Sequence, residues 1–468
     1  MDKKVKANEM GTKSIGRLLL EYTIPAILGM AIVAVNQIIS SVYIGYGVGP
    51  LALAAMAVTF PVINLLMAFC QLVAVGCAAM CSIALGRKDM PEARSMLGHC
   101  VLLEILLSAV FGFLFWIFLD PMLMFFGASA ETLAPAREFM VPLLVFAWVQ
   151  FLTIGLNFLA RASGYPKTAM FTAVMTALGI VVFSPLFIYQ WEWGMYGAAM
   201  AQVMGSVLST LWLTVHFLRK GALVHFGGGM WKLKMDAVKR IFSIGMAPFL
   251  IYSCACIVVI VINRALLEYG GDLAVGAYGI VNRLLMLFVL CIVGFGQGIQ
   301  PIIGFNYGAK NKARVRRTLK LSMVAGTSIT FMGMLVSLLC PRLMVLMFTD
   351  HAPLVELATR AMRLSGSLFV FVGPNVVIGT YFQSIGMAKL ASLVSLSRQM
   401  ICLIPALIIL PLFWGLDGVW LSLPFADFMG SVFASAGLYM TLKAEDNDCQ
   451  KGDPECTPPP DFFKPKQM

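Results

Sequence analysis

Long apolar stretches alternate with short polar loops along almost the whole chain, and their spacing predicts a membrane protein. Windows of about 20 residues carry no charge at all, as at 169–191, and a helix needs about 20 apolar residues to cross a bilayer core of ~30 Å. The pattern predicts twelve transmembrane helices, at residues 16–44, 51–81, 96–118, 138–159, 167–190, 195–218, 241–267, 274–305, 319–346, 361–383, 390–413 and 418–441. The predicted fold class is an all-α membrane protein.

The second half of the chain repeats the first at an offset of 222 positions. GCAAMCSIALG at 76–86 aligns with GIQPIIGFNYG at 298–308, and the same offset pairs Gly164 with Gly386 and Lys88 with Lys310. Each repeat holds six predicted helices, an even number, so two six-helix lobes should be related by an axis along the membrane normal. The predicted organisation is an N-terminal lobe at 1–218, a cytoplasmic linker at 219–240, a C-terminal lobe at 241–443 and a polar, disordered tail at 444–468.

Composition supports this interpretation, and the placement of charge predicts the orientation. Apolar residues make up 60% of the chain and charged residues 12%, against roughly 45–50% and about 25% in soluble domains. Most Lys and Arg residues fall on one predicted side, most densely at 219–240 and 310–320. This positive-inside bias predicts that both termini are cytoplasmic in the plasma (inner) membrane. The net charge of +11 is therefore a topology signal, and no nucleic-acid partner is expected.

Four ionisable residues stand well inside predicted spans, where each needs a partner or a role. They are Glu104, Arg283, Arg398 and Asp427. Arg398 lies roughly 13 Å from the cytoplasmic end of its span and Asp427 roughly 14 Å from the outer end of the next, at 1.5 Å per residue. Arg283 approaches the same depth. The sequence predicts a cluster of these three, which is either a fixed ion pair joining helices or a gate on Asp427 that binds a proton or cation.

Uncharged polar residues inside the spans are either interhelical contacts or the lining of a wet cavity. With the two arginines, the candidates for a substrate cavity are Asn36, Gln37, Asn263, Asn282, Arg283, Gln297, Gln300 and Arg398. The 31 Met and 33 Phe residues would give adaptable apolar walls. Pro25 and Pro248 occupy near-equivalent places in the first helix of each half, and are either simple bends or hinges.

Energy-supplying and metal-binding motifs are missing from the sequence. There is no G-x-x-x-x-G-K-[ST] run, and the four His residues are scattered. The chain is therefore expected not to be an enzyme and to need no cofactor or metal. Any transport would then be driven by an ion gradient or be passive.

Six segments together resemble the multidrug and toxic compound extrusion (MATE) family, in its bacterial and archaeal drug-efflux branch. They are IGRLLLEYTIPAILGM, LNFLARASGYPK, GAYGIVNRLLML, GFGQGIQPIIGFNYGAKNKAR, SLSRQMICLIPALIILP and GLDGVWLSLPFAD. The resemblance covers about residues 11–443. It implies two lobes with a cavity between them, alternating access, and Na⁺- or H⁺-coupled antiport of cationic, amphipathic compounds by a membrane-bound monomer.

One departure from the family pattern concerns ion coupling. Relatives often carry aspartates in the first and fifth helices, where this chain has Ser40 and Ser184, and Ile180 replaces an accompanying asparagine. Asn157 remains. The ion-coupling candidates are therefore Ser40, Ser184 and Asn157 in the N-terminal lobe, with Asp427 or Glu104 predicted to carry the titratable step. The coupling ion, Na⁺ or H⁺, stays open.

Two other functions compete with drug export. A lipid-linked oligosaccharide flippase of a related fold would need a cavity rich in cations, and only Arg283 and Arg398 are available. A membrane-embedded prenyltransferase would need paired acidic clusters, whereas Glu104 and Asp427 are far apart in sequence. Both fit the sequence less well than export.

Overall fold

The computed structural model describes the backbone of residues 9–227 and 230–450, and side chains as far as residue 444. In the N-terminal half, the helices are α1 (Ile15–Gly47), α2 (Pro50–Gly86), α3 (Met90–Ile117), α4 (Leu119–Phe125), α5 (Ala130–Val145), α6 (Ala147–Ala162), α7 (Pro166–Ser184, continued by a π-helix at Pro185–Gln190) and α8 (Gly194–Leu218). In the C-terminal half they are α9 (Met235–Gly308), α10 (Lys312–Leu339), α11 (Pro341–Leu346), α12 (Ala352–Gly366), a 3₁₀ turn at Phe369–Phe371, α13 (Val372–Ser384), α14 (Ala388–Leu396), a π-helix at Ser397–Leu403 and α15 (Ile404–Gln450).

Twelve membrane spans follow from these helices. Within the described ranges, eight helical units are long and apolar enough to cross a membrane, and two bent pairs, α5–α6 at 59° and α12–α13 at 47°, add one span each. Two units hold two spans apiece, because α9 breaks at Gly271 (φ 63°) and α15 at Gly415 (φ 53°). We call the parts of α9 α9a (235–270) and α9b (272–308). The prediction of twelve helices is confirmed.

The internal repeat is visible in the backbone. Lys88 and Lys310, at the 222-residue offset, are both left-handed, with φ of 62° and 57°, although that region disfavours residues other than glycine. The next residues, Asp89 and Asn311, both cap a helix, accepting from the backbone N–H three residues on at 2.9 and 3.1 Å. The duplicated sequence therefore builds the same helix–turn–helix corner twice.

The two lobes contact each other through α2 against α9a and α1 against α9b. Gly76 of α2 lies against the backbone of Ile241, and Gly245 of α9a lies against the backbone of Leu72. Small residues let membrane helices approach closely without a hydrophobic driving force. These contacts lie toward the end of the bundle that carries loops 87–89 and 309–311, which we call the basic end.

The predicted linker and tail are more helical than the sequence indicated. Met235 begins α9 inside the predicted linker. The residue before it is bonded to the N-terminal lobe, since the Lys234 N–H donates to His99 Nε2 at 3.0 Å. At the other end, α15 runs to Gln450, into the segment predicted to be disordered from 444, because neither glycine nor proline interrupts it there. Residues 228–229 and 451–468 lie outside the described part of the chain.

Candidate functional site

The basic end is closed by a reciprocal contact between equivalent glycines. Gly86 ends α2 and lies against the carbonyl of Phe305, while Gly308 ends α9b and lies against the carbonyl of Ile83. Each residue of this set of four is 222 positions from its counterpart. The contact therefore lies on the pseudo-twofold axis, where each lobe presents the same surface to the other.

The segment before α1 adds a second contact between the lobes. Met10 is 1% exposed and packs beside Gly164 and Tyr22 of the N-terminal lobe. From the other lobe, Arg314 Nη2 donates to the Met10 and Lys13 carbonyls at 3.0 and 2.7 Å. Asn306, which is completely buried, donates to the Met10 carbonyl at 3.3 Å. C-terminal-lobe side chains thus hold the N-terminal segment across the closed end.

Lys13 is held in this segment by acidic neighbours. Its Nζ lies 3.0 Å from Glu21 Oε2 and 3.1 Å from Glu9 Oε2. The hydrogen bonds to Glu21 and then Glu9 raise the pKa of Lys13 above its usual range. The ammonium is therefore charged at neutral pH and keeps the segment against the start of α1.

Arg161 of α6 also reaches across the lobe contact. Its guanidinium donates to Gln297 Oε1 of α9b and stacks over the Phe158 ring at 4.5 Å. Gln300, Pro301 and Ala78 complete a small pocket around it. The cavity candidates Gln297 and Gln300 thus lie in the contact between the lobes, where they bind or surround an arginine.

Further from the basic end, the facing surfaces of α1 and α9b become exposed. At Gly294, an added Cβ would lie 2.9 Å from Ile27 Cα. Beyond it, Gln37 and Ile38 of α1 and Asn282 and Arg283 of α9b are exposed. A cleft between α1 and α9b therefore opens away from the basic end, and two of the predicted cavity residues, Gln37 and Arg283, line it. Asn282 is also exposed, but it lies about 100° further round α9b, away from α1.

The C-terminal lobe contains a buried ion pair. Arg398 Nε lies 2.6 Å from Asp427 Oδ1, and the two side chains are 33% and 6% exposed. Arg398 sits in the π-helix Ser397–Leu403, a local widening that is frequent at functional sites. Asn375 approaches the pair across Gly430, and its buried Nδ2 has no hydrogen-bond partner among the described residues. These polar groups are the ones in the C-terminal lobe that an ion would contact.

The predicted three-residue cluster is wrong in one member. Arg283 is exposed and makes no hydrogen bond or ion pair with the described residues, whereas Arg398 and Asp427 pair with each other. Arg398 and Asp427 meet, as their equal predicted depth implies, but depth does not determine the direction in which a helix presents a side chain. Of the two alternatives that the sequence left open, Arg398 and Asp427 have the geometry of an ion pair that joins two helices.

Glu104 occupies a different environment, in the N-terminal lobe. Its side chain on α3 is completely buried, and neither carboxylate oxygen has a hydrogen-bond partner in the described structure. Cys70, Cys100 and Gly155 surround it. An ionised carboxylate without a partner is very costly in an apolar interior, so this site accommodates the neutral acid.

The residues at the family's acidic positions are buried but separate. Ser40 is 5% exposed and Ser184 is 3% exposed. Ser40 Oγ accepts from Gln202 Nε2 of α8 at 3.2 Å, while Asn157 donates to the Ala169 carbonyl at 2.8 Å. No hydrogen bond joins Ser40, Ser184 and Asn157 to one another in the described ranges. They form scattered polar positions in one lobe, and their role in ion coupling stays a prediction.

The remaining candidates lie within single lobes or inside continuous helices. Asn36 is buried and donates to the Ala173 carbonyl of α7 at 3.5 Å, so it joins helices within one lobe. Asn263 is half-buried in α9a. Pro25 and Pro248 lie inside continuous helical segments, and their role as hinges stays a prediction.

Sequence reasoning did not identify several residues that join the two lobes. Arg161, Arg314 and Tyr252 all make interlobe bonds, the last accepting from Gln71 Nε2 at 3.5 Å. The arginines lie near predicted span ends, where a basic residue is normal. The signal available for Arg161 was its place inside the LNFLARASGYPK segment.

Comparisons of the sequence with known proteins all indicate the same family. Residues 25–186 and 244–408 match the family model MatE. The multidrug export protein MepA of Staphylococcus haemolyticus (strain JCSC1435) is 25% identical over 91% of this chain and 94% of its own length. MepA of Staphylococcus aureus (strain MSSA476) is 25% identical over 91% and 93%.

Solved structures share the fold. A structure of the MATE multidrug transporter DinF-BH in complex with the dye rhodamine 6G has a TM-score of 0.85 at 30% identity, over 92% of this chain and 96% of that chain. A multidrug resistance MATE family transporter in an outward-facing conformation has a TM-score of 0.87 at 20% identity, over 93% and 98%. At 20% identity, the similarity to this second structure shows a shared fold and no more.

Proposed function

Because the chain belongs to the MATE family of integral membrane transporters, we propose that it exports amphipathic drugs, organic cations among them, by antiport against Na⁺ or H⁺. The observation that carries the proposal is the cleft between the lobes. It is closed at the basic end by Gly86 and Gly308 and exposed further away at Gln37 and Arg283. A cleft closed at one end only is what alternating access requires of a single state.

Coupling is proposed to depend on a buried carboxyl. Asp427 and Glu104 are the acids deep within the described spans, and both are buried. Asp427 is paired with Arg398, so a change of its protonation or a bound cation would compete with that ion pair. Glu104 has no such partner. In the N-terminal lobe, the hydroxyls of Ser40 and Ser184 and the amide of Asn157 are the groups proposed to assist a Na⁺ ion.

The proposed setting is the plasma (inner) membrane, with both termini in the cytoplasm. The basic end then faces the cytoplasm, in agreement with the basic loops 87–89 and 309–311. We propose that the transporter works as a monomer surrounded by lipid, with a coupling ion and no other cofactor.

Dye efflux tests this function. Proteoliposomes containing the purified protein are loaded with rhodamine 6G, and dye movement is followed under an imposed Na⁺ gradient at fixed pH, and separately under a pH gradient without Na⁺. We expect gradient-dependent movement of the dye under at least one condition. Protein-free liposomes are the control, and movement no faster than theirs under both gradients would remove the proposal.

A further inference from the structure

Arg283 lies on the side of α9b that faces the other lobe. Gly294 and Gly298 of α9b lie against Ile27 and Thr23 of α1, so those glycines mark the inward face. Arg283 precedes Gly294 by three turns, about 11 residues at 3.6 per turn, and so returns to the same face. It projects toward α1 at a level where the two helices are no longer in close contact.

The opposite wall at this level also carries polar groups. The two helices run in opposite directions, since Gly298 meets Thr23 and Gly294 meets Ile27. Extending this register places Arg283 opposite the turn of α1 that contains Gln37 and Ser41. Gln37 and Arg283 are both exposed. Hydrogen-bond donors therefore face the cleft from both lobes.

The charge on Arg283 is not compensated within the described structure. Of the other ionisable groups deep in the spans, Arg398 and Asp427 neutralise each other, and Glu104 is completely buried away from the cleft. A guanidinium presents a planar fork of donors that matches a carboxylate, and charge-assisted pairs of this kind are strong where water is scarce. An intramembrane charge without a protein partner is a functional-site indication by itself.

We propose that Arg283 is a specificity-determining residue that binds the carboxylate of a zwitterionic substrate. Gln37 supplies a further donor to the same carboxylate. The proposal rests on the export function proposed above, and it assigns this chemistry to the C-terminal-lobe wall of the cleft.

A matched pair of dyes tests the assignment. Rhodamine 6G is an ethyl ester, and its hydrolysed free acid differs only in carrying a carboxylate. Transport of both is measured in proteoliposomes for the wild type, R283Q, R283K and R342Q, the last replacing another exposed arginine. We expect the acid-to-ester transport ratio to fall about tenfold or more in R283Q, since a charge-assisted hydrogen bond contributes about 1.5–3 kcal/mol. R283K should lie between, and R342Q should match the wild type.

Binding to the purified protein supplements the transport measurement. Fluorescence anisotropy of each dye gives the two Kd values even for a variant that no longer transports, and the same fall in selectivity is expected there. An unchanged acid-to-ester ratio in R283Q, or a wild type that does not accept the acid, overturns the proposal. If the wild type does not move the ester dye either, the export function itself fails, so the two failures are distinguishable.

Discussion

Gly86 and Gly308 meet across the lobe boundary, each packed against the carbonyl of the residue three positions before the other. They are equivalent residues of the internal repeat, so a single close approach is made twice around one axis. Helix backbones can come this near only where no Cβ intervenes. The duplicated sequence thus produces its own interlobe contact at the end that is closed.

Adding a methyl group at this contact should open it. We expect G86A and G308A each to destabilise the protein by about 1–3 kcal/mol through overpacking, because the new Cβ would overlap a carbonyl oxygen of the other lobe. Thermal unfolding in detergent measures the change. G16A is the matched control, since Gly16 of α1 has open space beside it, and it should be neutral or slightly stabilising. Equal behaviour of all three variants would contradict the assignment.

Arg314 should stabilise the closed basic end through the N-terminal segment. R314A removes two bonds across the lobe boundary, to the carbonyls of Met10 and Lys13. The ratio of closed to open protein should therefore fall by about 5-fold for each bond lost, at about 1 kcal/mol per net hydrogen bond. Thiol labelling of a cysteine placed at Ser82, which packs against Gly304, reports the opening. R317A alters an exposed neighbour and should label like the parent; equal labelling of both variants would show that Arg314 does not act this way.

The Arg398–Asp427 pair should respond asymmetrically to removal of either partner. R398Q leaves a carboxylate buried, whereas D427N leaves a guanidinium that is one-third exposed. We expect R398Q to lower the free energy of unfolding by about 3 kcal/mol and D427N to lower it by less. Breaking a buried pair costs about 3–5 kcal/mol when the remaining charge cannot reach water. The double variant should recover part of the loss in thermal unfolding. Strict additivity of the two single effects would show that the pair contributes no coupling energy.

Ion dependence separates a structural role of this pair from a coupling role. If Asp427 carries the titratable step, D427N should flatten the pH dependence of rhodamine 6G transport while some transport remains. A D427N protein that transports with the pH profile of the wild type would exclude Asp427 from coupling.

Glu104 should tolerate a neutral replacement and reject a charge. E104Q preserves shape and adds no charge at a completely buried site, so its melting temperature should stay close to the wild type. E104K should lose several kcal/mol, because an unpaired charge would be enclosed. In transport, a flattened pH profile for E104Q is expected if Glu104 is the titratable group. An E104K protein as stable as the wild type would show that water reaches the site.

The sequence by itself determined the number and order of the spans. In lipid, each helix must satisfy its own backbone and be apolar along about 20 residues, which is information local to each segment. The repeat also determined the paired left-handed turns at Lys88 and Lys310, because the same short motif forms the same helix–turn–helix corner in each half.

Depth was predictable for the same reason, since each helical residue advances by a constant rise. The sequence therefore placed Arg398 and Asp427 level with each other, and they pair. It placed Arg283 level with them too, and there the prediction of a cluster was wrong. Rotation about the helix axis depends on which neighbour packs against which face, and Gly294 and Gly298 turn that face of α9b toward the other lobe.

Contacts between the lobes were decided by the tertiary structure alone. Arg161 with Gln297 and Arg314 with Met10 join residues far apart in sequence, and no local pattern marks either pair. Their partners are set by how closely two helical bundles approach, which depends on the glycines at the interface. The same approach leaves Arg283 without a protein partner in the described structure and exposed in the cleft.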